Sequence, residues 1–548
     1  MIPRRIVLTG MMCSGKTTVG RRIAAALGWD FVDTDKLIEK RSGLKISEIF
    51  RAYGENYFRK LEKEVLLSAM RLENTVIATG GGVVTDSENL KLIREQSLGV
   101  YLEVPLKELV RRCRGKSDLR PLLKGGIEDN LEKILNERRE IYERVGNTVD
   151  AVAVANPWIV VQRILYLIDW DIREELDGIE KILLGPGILK DLGNFTTGDV
   201  RYFAQRRVYR LFGEFLPESV FVLPDGDRAK SLKTLMRIYE FLLSSKATRG
   251  TTVVSIGGGA ASDVVGFAAS TFKRGVRFIN APTTLLAQVD AGLGGKNALN
   301  FRGIKNVIGT FYHPDLIMID PLALLSLDGK DFRQGFAEIV KSAIIGETTF
   351  SNKLEDGAPH PTSPHGRSPW GEESGGGNSF DHGDAFFKFL ELNVDGLLNR
   401  NLQALTEVIK RTARVKLRIV EEDFRESTGK RKLLNLGHTL GHAYEVILGI
   451  SHGEAVAIGL VKAIEIGIRL GITETGLLER TKELLGKFGL LRKLPDAERV
   501  DERLILEKIV QDKKASRGKI DFVIPRKPGD VIIKPMGPDE IIRLISGG

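Results

Sequence analysis

A stretch close to the N-terminus has the residues and the spacing of a phosphate-binding loop. Residues 10–17 read GMMCSGKT, which matches G-x-x-x-x-G-K-[ST], and they lie between a predicted strand at 5–9 and a predicted helix. Backbone amides and the helix N-terminus of such a loop bind nucleotide phosphates, while Lys16 neutralises charge on the transferred group and Thr17 holds Mg²⁺. The motif predicts an NTP site formed by Gly10, Ser14, Gly15, Lys16, Thr17 and Thr18.

A second set of candidate residues, in the C-terminal half, has the side chains of a metal site. Glu338, His438 and His452 stand in the segments AEIVK, NLGHTLGH and SHGE, and a His₂Glu set with open positions is typical of catalytic zinc. Spacing alone favours a different pair, His438 with His442, because residues four apart share a helix face. The alternative is that each histidine is a hydrogen-bonded core residue, which explains poorly why all of them are flanked by glycine.

A glycine turn at 257–259 is a third candidate site. It reads GGG, follows the β-rich run 252–256 and leads into AASDVVGF. A turn of this kind after a strand binds dinucleotides in many α/β proteins, but three glycines also suit an ordinary tight turn. The turn by itself leaves both interpretations open.

The elements that must position these residues form two alternating regions and a helical one. In the first region, β-branched runs alternate with helical stretches, and they lie at 6–8, 76–78 and 99–102. The second alternation has its strand-like runs at 181–184, 219–223, 252–256 and 316–319. From about residue 332 the apolar spacing is helical, until the strand-like run 521–524.

These patterns predict the fold class and the domain boundaries. We expect an α/β P-loop domain with a doubly wound parallel sheet at 1–170, followed by an acidic connector at 171–178 that continues a terminal helix. A Rossmann-like α/β subdomain is expected at 179–330 and a mainly helical subdomain at 331–548. Within the latter, residues 352–384 are rich in Gly, Pro, Ser and His, which predicts a disordered insertion whose three histidines do not bind metal.

Composition and charge narrow the function classes. The chain has 548 residues, 42% of them hydrophobic and 28% charged, a globular balance that suits several domains. Its net charge of +9 is interspersed with acidic residues, so we expect anionic small-molecule substrates and no nucleic acid. Since we find neither a signal core nor a long apolar run, we also expect a cytoplasmic protein with no membrane contact.

The two cysteines, Cys13 and Cys113, are too few for a disulfide framework or a cysteine zinc site. We therefore expect reduced thiols in a reducing cytosol. A metal ion would have to bind histidines and carboxylates.

Four further marks accompany the phosphate loop. They are DTD at 33–35, FR at 58–59 with Glu62, GGG at 80–82 after a strand, and RPLL at 120–123. Together with the loop they resemble shikimate kinase over the whole first region. An arginine pair suits a carboxylate, and a carboxylate beside a nucleophilic hydroxyl suits phosphoryl transfer. The alternatives are a helix N-cap role for Asp33 and Asp35, or a kinase for another small acceptor, such as a gluconate-type enzyme.

The resemblance implies ATP with Mg²⁺ as donor, shikimate as acceptor, and a role for each residue. Asp33 would help to place Mg²⁺, Asp35 would assist deprotonation of the substrate hydroxyl, and Arg120 would move over the phosphates. The expected shikimate-binding residues are Asp35, Arg59, Gly80, Gly81, Gly82 and Arg138. Two positions depart from the family: Glu140 stands where proline is frequent, and no adenine-flanking arginine follows Asn156.

The residues around and after the glycine turn resemble 3-dehydroquinate synthase. The matching segments are KRG at 273–275, PTTLLAQVD at 282–290, GGK at 294–296 and KN at 305–306. The resemblance covers about 179–548 and implies NAD with Zn²⁺, or alternatively Co²⁺. It implies conversion of 3-deoxy-D-arabino-heptulosonate 7-phosphate into 3-dehydroquinate and phosphate, with NAD⁺ reduced and re-oxidised within one turnover.

The same resemblance assigns a role to each site residue of the second half. It assigns Glu338, His438 and His452 to the metal, and His442 to the substrate. The expected catalytic residues also include Asp290, Lys296 and Lys341. The expected cofactor residues are Asp227, Lys230, Gly258, Gly259, Asp263, Thr283 and Thr284, and the expected substrate residues are Arg274, Asn306, Lys416, Arg431, Asn435, Lys513 and Lys514.

One departure affects the choice of cofactor. Where the family has Asp-x-Asn after its first strand, this chain has Gln205-Arg206-Arg207. An arginine there would accommodate a 2′-phosphate and favour NADP, whereas a shifted loop or weakened cofactor binding is the alternative.

Two other functions compete for the second half: a different sugar-phosphate cyclase and a polyol dehydrogenase-like scaffold. The many cations argue against the dehydrogenase, and fusion to a shikimate-type kinase argues for a shared aromatic-precursor pathway. The resemblance further implies a homo-oligomer formed through the synthase half.

Overall fold

The computed structural model describes residues 2–114, 126–152, 156–196, 198–216, 219–346, 384–512 and 519–546. Arg120, Lys513, Lys514 and the predicted insertion, except its last residue Asp384, lie outside the described residues. Asp384 precedes a helix and its carboxylate accepts from the Arg480 guanidinium at 3.0 Å. Among the described residues, no helix is both long and apolar enough to cross a membrane.

In the part that the structure describes, the first region contains five strands and seven helices. The strands are β1 (Arg5–Thr9), β2 (Asp30–Asp33), β3 (Thr75–Ala78), β4 (Leu98–Glu103) and β5 (Asn147–Asp150). The helices are α1 (Lys16–Leu27), α2 (Thr34–Ser42), α3 (Ile46–Ala69), α4 (Ser87–Gln96), α5 (Leu106–Cys113), α6 (Ile127–Glu143) and α7 (Pro157–Tyr166). All strand pairs are parallel and the order is β2-β3-β1-β4-β5, which confirms the predicted P-loop fold.

The phosphate loop leaves the central strand of this sheet. β1 is buried between β3 and β4 because its run Ile6-Val7-Leu8 is apolar on both faces. Gly10 and Gly15 then have φ of 131° and 100°, values that favour glycine, and α1 begins directly after Gly15. The strand, loop and helix therefore follow one another as predicted.

The prediction that the two cysteines are reduced thiols is wrong. Cys13 in the phosphate loop and Cys113 at the end of α5 form a disulfide, with a Cα–Cα distance of 5.9 Å across a sequence separation of 100. The sequence could not show this, because the pairing depends on β4 delivering α5 to the side of the sheet where the loop lies.

Among its described residues, the second region continues with nine strands and four helices. The strands are β6 (Glu174–Leu176), β7 (Ile182–Leu184), β8 (Val200–Gln205), β9 (Val220–Leu223), β10 (Thr252–Gly257), β11 (Phe278–Pro282), β12 (Lys296–Phe301), β13 (Ile304–Phe311) and β14 (Leu316–Ile319). The helices are α8 (Leu192–Phe195), α9 (Arg206–Phe212), α10 (Leu232–Ser244) and α11 (Gly259–Thr271).

Seven of these strands form one sheet in the order β6-β7-β14-β11-β10-β8-β9. All of its pairs are parallel except β6 with β7. The connector prediction is therefore wrong for residues 174–176, since they add an antiparallel edge strand, and α7 ends at Tyr166. The chain leaves β10 toward β11 and leaves β8 toward β9, on the opposite side. Ligands bind at such switch points in open α/β sheets.

The third region is mainly helical, as predicted, and contains a hairpin before its last helix. Its helices are α12 (Gly329–Ile345), α13 (Ala385–Leu398), α14 (Leu402–Glu422), α15 (His438–Leu448), α16 (His452–Arg469), α17 (Gly476–Lys487), α18 (Leu494–Ala497), α19 (Glu502–Asp512) and α20 (Pro538–Ser546). The hairpin pairs β15 (Ile520–Lys527) with β16 (Asp530–Met536). Its core is continuous with one face of the second sheet.

The kinase-like region packs directly on the second region. Apolar residues of α7 and of the short 3₁₀ turn Pro321–Ser326 belong to one buried cluster. Gln162 on α7 donates to the Leu322 carbonyl at 2.6 Å, and the Tyr166 hydroxyl donates to the Asp320 carboxylate at 2.8 Å. The two halves thus share a buried interface as well as a chain.

Candidate active sites

The phosphate loop and β2 place two oxygen ligands together. Lys16 Nζ donates to the Gly10 and Met11 carbonyls at 2.8 Å, so its ammonium lies within the loop. The Thr17 hydroxyl donates to Asp33 Oδ2 at 2.8 Å. A hydroxyl beside a carboxylate at a P-loop is a suitable pair of oxygen ligands for Mg²⁺.

The N-cap alternative applies to one of the two aspartates. Asp33 Oδ1 also accepts from the Lys36 amide at 3.3 Å, so Asp33 is the N-cap of α2. Asp35 lies inside the first turn of that helix, after the N-cap position. The cap fixes Asp33 and leaves its second oxygen facing Thr17.

The predicted acceptor residues converge beside the loop. A Cβ on Gly82 would lie 2.1 Å from the Arg59 guanidinium, and one on Gly80 would lie 2.7 Å from Asp35 Oδ1. Arg138 donates to the Gly81 carbonyl at 3.1 Å. The three glycines therefore provide the space in which two arginines and Asp35 surround one small volume.

Arg59 is held by two carboxylates of its own helix. It donates to Glu62 at 2.6 Å and to Glu55 at 2.9 Å. Burial raises the pKa of Glu62 to about 7, while Arg59 acts in the opposite direction. Two groups that sequence reasoning missed complete this end: the Tyr142 hydroxyl donates to the Gly81 carbonyl at 2.5 Å, and Arg112 donates to the Ser14 carbonyl at 3.2 Å.

The predicted metal ligands meet between α12, α15 and α16. Glu338 Oε1 lies 3.3 Å from Nε2 of His438 and 3.3 Å from Nε2 of His452. One ligand atom from each residue lies within 4.8 Å of the others. Donors around one tetrahedral zinc ion at roughly 2.0–2.2 Å are separated by about 3.3–3.6 Å, so this donor set is suited to a divalent ion.

His442 lines the same space from the same helix as His438. Their rings are 5.5 Å apart and perpendicular, and His442 is 6.4 Å from the His452 ring. The spacing of four does place His438 and His442 on one helix face. His438 reaches Glu338, and α16 crosses α15 there and brings His452 to the same carboxylate as the second imidazole.

Close helix packing makes this arrangement possible. A Cβ on Gly459 of α16 would lie 1.9 Å from the Gly437 carbonyl at the start of α15, and one on Gly441 would lie 3.0 Å from the Ala455 carbonyl. Larger residues would separate the helices and, with them, His438 and His452.

The metal set is charged and buried. Burial opposes ionisation of Glu338, but Lys341 and the two imidazoles lower its pKa well below its usual range. Burial lowers the pKa of His438. Burial also acts to lower the pKa of His452, but hydrogen bonds to the Glu338 and Glu445 carboxylates outweigh it and raise that pKa to about 10.

A group of buried cations lies next to the metal set. Lys416 Nζ donates to the backbone and the carboxylate of Asp290, and Arg431 donates to the Gly294 carbonyl at 2.7 Å. Burial opposes ionisation of Asp290, but Lys416 lowers its pKa. Lys296, whose side chain is 53% exposed, lies at the edge of this group. It pairs with Glu426, which also lies 3.8 Å from Arg431. Buried cations of this kind are suited to an anionic substrate.

A cavity of about 1340 Å³ connects the glycine turn to the metal set. Lys230 pairs with both Asp263 and Asn306 in its wall, and burial raises the pKa of Asp263 to about 6. A Cβ on Gly259 would lie 2.8 Å from that of Ala291, so the turn follows the wall closely. The predicted residues that line the cavity are Asp227, Lys230, Gly258, Gly259, Asp263, Thr283, Thr284, Asp290, Asn306, His442 and His452.

The departure at 205–207 has a structural explanation. Gln205, at the end of β8, accepts from the Gly258 amide at 2.8 Å across the switch point. The Arg207 guanidinium lies 3.4 Å from the Asp328 carboxylate and 3.3 Å from the Ser326 carbonyl. Its side chain is therefore engaged by the start of α12.

Two predicted substrate residues are exposed and do not line this cavity. Arg274 is exposed in the 3₁₀ turn after α11, and Asn435 is exposed at the end of another 3₁₀ turn. Neither is among the described residues that line the cavity.

Sequence reasoning missed two carboxylates of this half. Glu180 accepts from the Gly294 amide at 2.8 Å and lies 2.7 Å from His313 Nδ1, so it fixes the glycines beside Arg431. Glu445 lies 3.3 Å from His452 Nδ1. Its position seven residues after His438 on one helix was the available signal, whereas Glu180 has no local signal.

Comparison with known proteins gives three family matches along the chain. Family models match at residues 12–169 (shikimate kinase), 220–334 (3-dehydroquinate synthase N-terminal) and 379–515 (3-dehydroquinate synthase C-terminal). The bifunctional shikimate kinase/3-dehydroquinate synthase of Thermotoga maritima is 36% identical over 549 residues, covering 99% of this chain and 100% of that protein.

Solved structures resemble the second half. A 2-deoxy-scyllo-inosose synthase bound to carbaglucose-6-phosphate, NAD⁺ and Co²⁺ is 22% identical, with a TM-score of 0.55, over 69% of this chain and 100% of that one. A 2-epi-5-epi-valiolone synthase from Streptomyces hygroscopicus with NAD⁺ and Zn²⁺ is 23% identical, with a TM-score of 0.55, over 69% and 98%. These likenesses confirm the fold of the second half. The match over nearly the whole length shows that the chain belongs to the family of bifunctional shikimate kinase/3-dehydroquinate synthases.

Proposed function

We propose that the first half phosphorylates shikimate with ATP and that the second half converts 3-deoxy-D-arabino-heptulosonate 7-phosphate into 3-dehydroquinate and phosphate. The observation that carries this proposal is the convergence of two separate side-chain sets in one chain, Asp35 with two arginines, and Glu338 with two histidines. A full-length relative with both activities in its name supports it.

In the kinase half, we assign the donor end to the loop and the acceptor end to α2, α3 and α6. Lys16 and the loop amides would hold the phosphates, and Thr17 with Asp33 would hold Mg²⁺, which screens phosphate charge. Arg59 and Arg138 would bind the acceptor's carboxylate, so that its hydroxyl faces Asp35. Asp35 then takes the hydroxyl proton as oxygen attacks the γ-phosphorus and ADP leaves.

In the synthase half, Glu338, His438 and His452 would hold the metal, and the cavity wall at 258–263 and 283–284 would hold the nucleotide. Bound NAD⁺ and a divalent ion, Zn²⁺ or Co²⁺, supply the transient oxidation and the Lewis acidity that the reaction needs. Lys341, Lys416 and Arg431 would bind the anionic groups of the substrate, and His442 would exchange protons with it. Asp290 orients Lys416.

The buried cations favour this cyclase over a polyol dehydrogenase, since an uncharged polyol offers them no anion. The family models favour it over another sugar-phosphate cyclase. Because Arg207 is engaged by Asp328, we propose NAD rather than NADP as the cofactor.

The two activities are assayed separately on the same protein, so that each serves as the control for the other. We expect ADP release to depend on shikimate, and phosphate release from the seven-carbon substrate to depend on NAD⁺ and Zn²⁺ but not to occur with NADP⁺. Asp35→Asn should lower the first activity by about 10²–10⁴-fold and leave the second unchanged. His438→Ala should abolish only the second. The assignment would be contradicted if each variant kept the activity of its own half, or if each variant lost both activities.

We also propose that the domains are 1–170, 179–330 and 331–548, and that the chain forms homo-oligomers through the synthase half. The β12–β13 hairpin supports the second point, because Phe301, Ile304, Val307 and Phe311 are between 39% and 60% exposed on it. Exposed apolar groups in a cluster mark interaction surfaces.

The oligomer is tested with Val307→Lys, which places a charge on that hairpin. We expect light scattering to show a smaller species for the variant than for the wild type, because burying a lysine is unfavourable. Leu392→Lys, at an 85% exposed position on α13, is the control. A wild type that is already monomeric would contradict the proposal.

A further inference from the structure

The two imidazoles of the metal set are oriented by different acceptors. His438 Nδ1 lies 3.2 Å from the Leu436 carbonyl, a backbone group that mutation of a side chain cannot remove. His452 Nδ1 instead lies 3.3 Å from Glu445 Oε2. In both rings the opposite nitrogen, Nε2, faces Glu338. One ligand therefore depends on the backbone and the other on a single carboxylate.

We propose that Glu445 is a positioning residue for the metal ligand His452. It accepts from Nδ1–H, which fixes the tautomer and turns the Nε2 lone pair toward Glu338 and His438. This inference rests on the metal site proposed above and names a residue outside the ligand set. A carboxylate behind a metal-bound imidazole both orients the ring and increases its basicity.

The place of Glu445 in the fold supports this role. It projects from α15 toward the start of α16, where His452 is the first helical residue. Its other oxygen accepts from Lys305 Nζ at 2.7 Å, so both carboxylate oxygens have defined partners. Both oxygens of the Glu445 carboxylate are thus fixed by neighbouring side chains.

A purely structural ion pair is the competing interpretation. The Lys305 side chain is 63% exposed, and ion pairs with an exposed partner contribute little to folding. Glu445 is 16% exposed and lines the cavity together with His452 and Lys305. The Lys305 pair alone therefore gives little reason to hold a carboxylate here, and the contact with His452 is the stronger explanation.

Two substitutions separate orientation from charge. Glu445→Gln keeps an oxygen that can accept from Nδ1–H but removes the charge. Glu445→Ala removes both. We expect the full-length protein to bind Zn²⁺ about tenfold more weakly with glutamine and up to about a hundredfold more weakly with alanine.

The control is Glu465→Gln. Glu465, on α16, is likewise an ion-paired glutamate, since Lys462 and Lys482 contact its carboxylate at 2.8 and 3.1 Å. Its side chain is 20% exposed, which is similar to the exposure of Glu445. It lies thirteen residues after His452 and does not contact the metal set. Its substitution should leave Zn²⁺ affinity within about twofold of the wild type, which makes any general effect of removing a paired carboxylate visible.

The experiment is competition with a chromogenic chelator, followed by the absorption spectrum of the Co²⁺-loaded proteins. The affinity order wild type, Glu445→Gln, Glu445→Ala, with a changed Co²⁺ spectrum for the Glu445 variants only, supports the proposal. Equal affinities and spectra for all variants would overturn the role of Glu445 alone. A wild type that binds neither ion at the site, tested beside His438→Ala, would overturn the metal site itself and the proposal with it.

Discussion

Arg59 is a substrate-binding candidate that already has two partners. Its guanidinium contacts Glu62 at 2.6 Å and Glu55 at 2.9 Å, so an incoming carboxylate must share it. Glu62 is the buried partner, and burial raises its pKa to about 7. Asp35 and Arg138 also face it. Near pH 7, therefore, the charge of the group that competes for Arg59 depends on pH.

This gives a pH prediction for the kinase half. Below its pKa of about 7, Glu62 is neutral in the folded protein, and Arg59 is more available to shikimate. As the pH rises through that value, Glu62 ionises, and the stability that its raised pKa provides at low pH is lost as well. We expect the shikimate Kd to increase by up to about tenfold between pH 6 and pH 8.

Glu62→Gln is the matched variant, because glutamine has the shape of the glutamate side chain but does not ionise. Isothermal titration of shikimate into the full chain should show a Kd that is nearly independent of pH in this variant. A wild-type Kd that does not change, or that falls with rising pH, would show that Glu62 does not compete for Arg59.

At the scale of elements, sequence periodicity predicted most of the strands and helices but not every contact between them. The runs at 6–8, 76–78 and 252–256 are rich in β-branched and other apolar residues and became strands that are buried on both faces. The strand 174–176 reads EEL, has no β-branched residue, and exists because it pairs with β7. Local sequence carries no signal for such an edge strand.

The same limit applies to the metal set. Helix spacing alone identified His438 with His442, and the third residue, His452, comes from another helix whose approach depends on Gly459. The resemblance to 3-dehydroquinate synthase identified His452 as a ligand, whereas helix periodicity did not. The contact of Glu180 with Gly294 joins positions that are 114 residues apart in the sequence, and the disulfide joins positions that are 100 residues apart. Only the folded chain reveals such contacts.

The disulfide is the element-scale feature with the largest expected effect on stability. It ties the phosphate loop to the end of α5 across a sequence separation of 100. Closing a loop of about 100 residues stabilises a fold by about 4.7 kcal/mol in the chain-entropy model, and losing a native disulfide typically costs about 2–5 kcal/mol.

We therefore expect a reductant to lower the free energy of unfolding of the wild-type chain by about 2–5 kcal/mol, measured by urea denaturation. The double variant Cys13→Ser with Cys113→Ser is the control, because it should be equally stable with and without reductant. A wild-type urea midpoint that is unchanged by the reductant would mean that the two thiols are not joined in solution.

At the scale of the whole molecule, the interface between the halves is polar as well as apolar. Arg400 of the helical region donates to the Leu324 and Leu327 carbonyls at 2.9 and 2.8 Å, and its guanidinium lies 5.2 Å from the Trp158 ring of α7. Burial lowers the pKa of Arg400 to about 10. Because the segment around Leu324 contacts α7 on one side and continues toward α12 on the other, neither half is expected to unfold alone.

Tyr166→Phe tests this coupling with a single hydroxyl. The Tyr166 hydroxyl, in the kinase half, donates at 2.8 Å to Asp320, in the synthase half, and Asp320 is fully buried. Backbone amides of three residues also donate to that carboxylate, so it stays satisfied after the substitution. A hydrogen bond to a charged group contributes about 1.5–3 kcal/mol, and we expect a loss of that order.

The measurement is heat inactivation of both activities in one sample. If the halves unfold together, Tyr166→Phe lowers the midpoint of kinase loss and of synthase loss by the same amount. Tyr239→Phe is the control, since that hydroxyl bonds to Thr271 within the synthase half on a partly exposed face. If the variant lost kinase activity at a lower temperature while synthase activity kept its wild-type midpoint, the interface would join two independently stable enzymes. In that case the fusion would provide equal amounts of the two enzymes without coupling their stability.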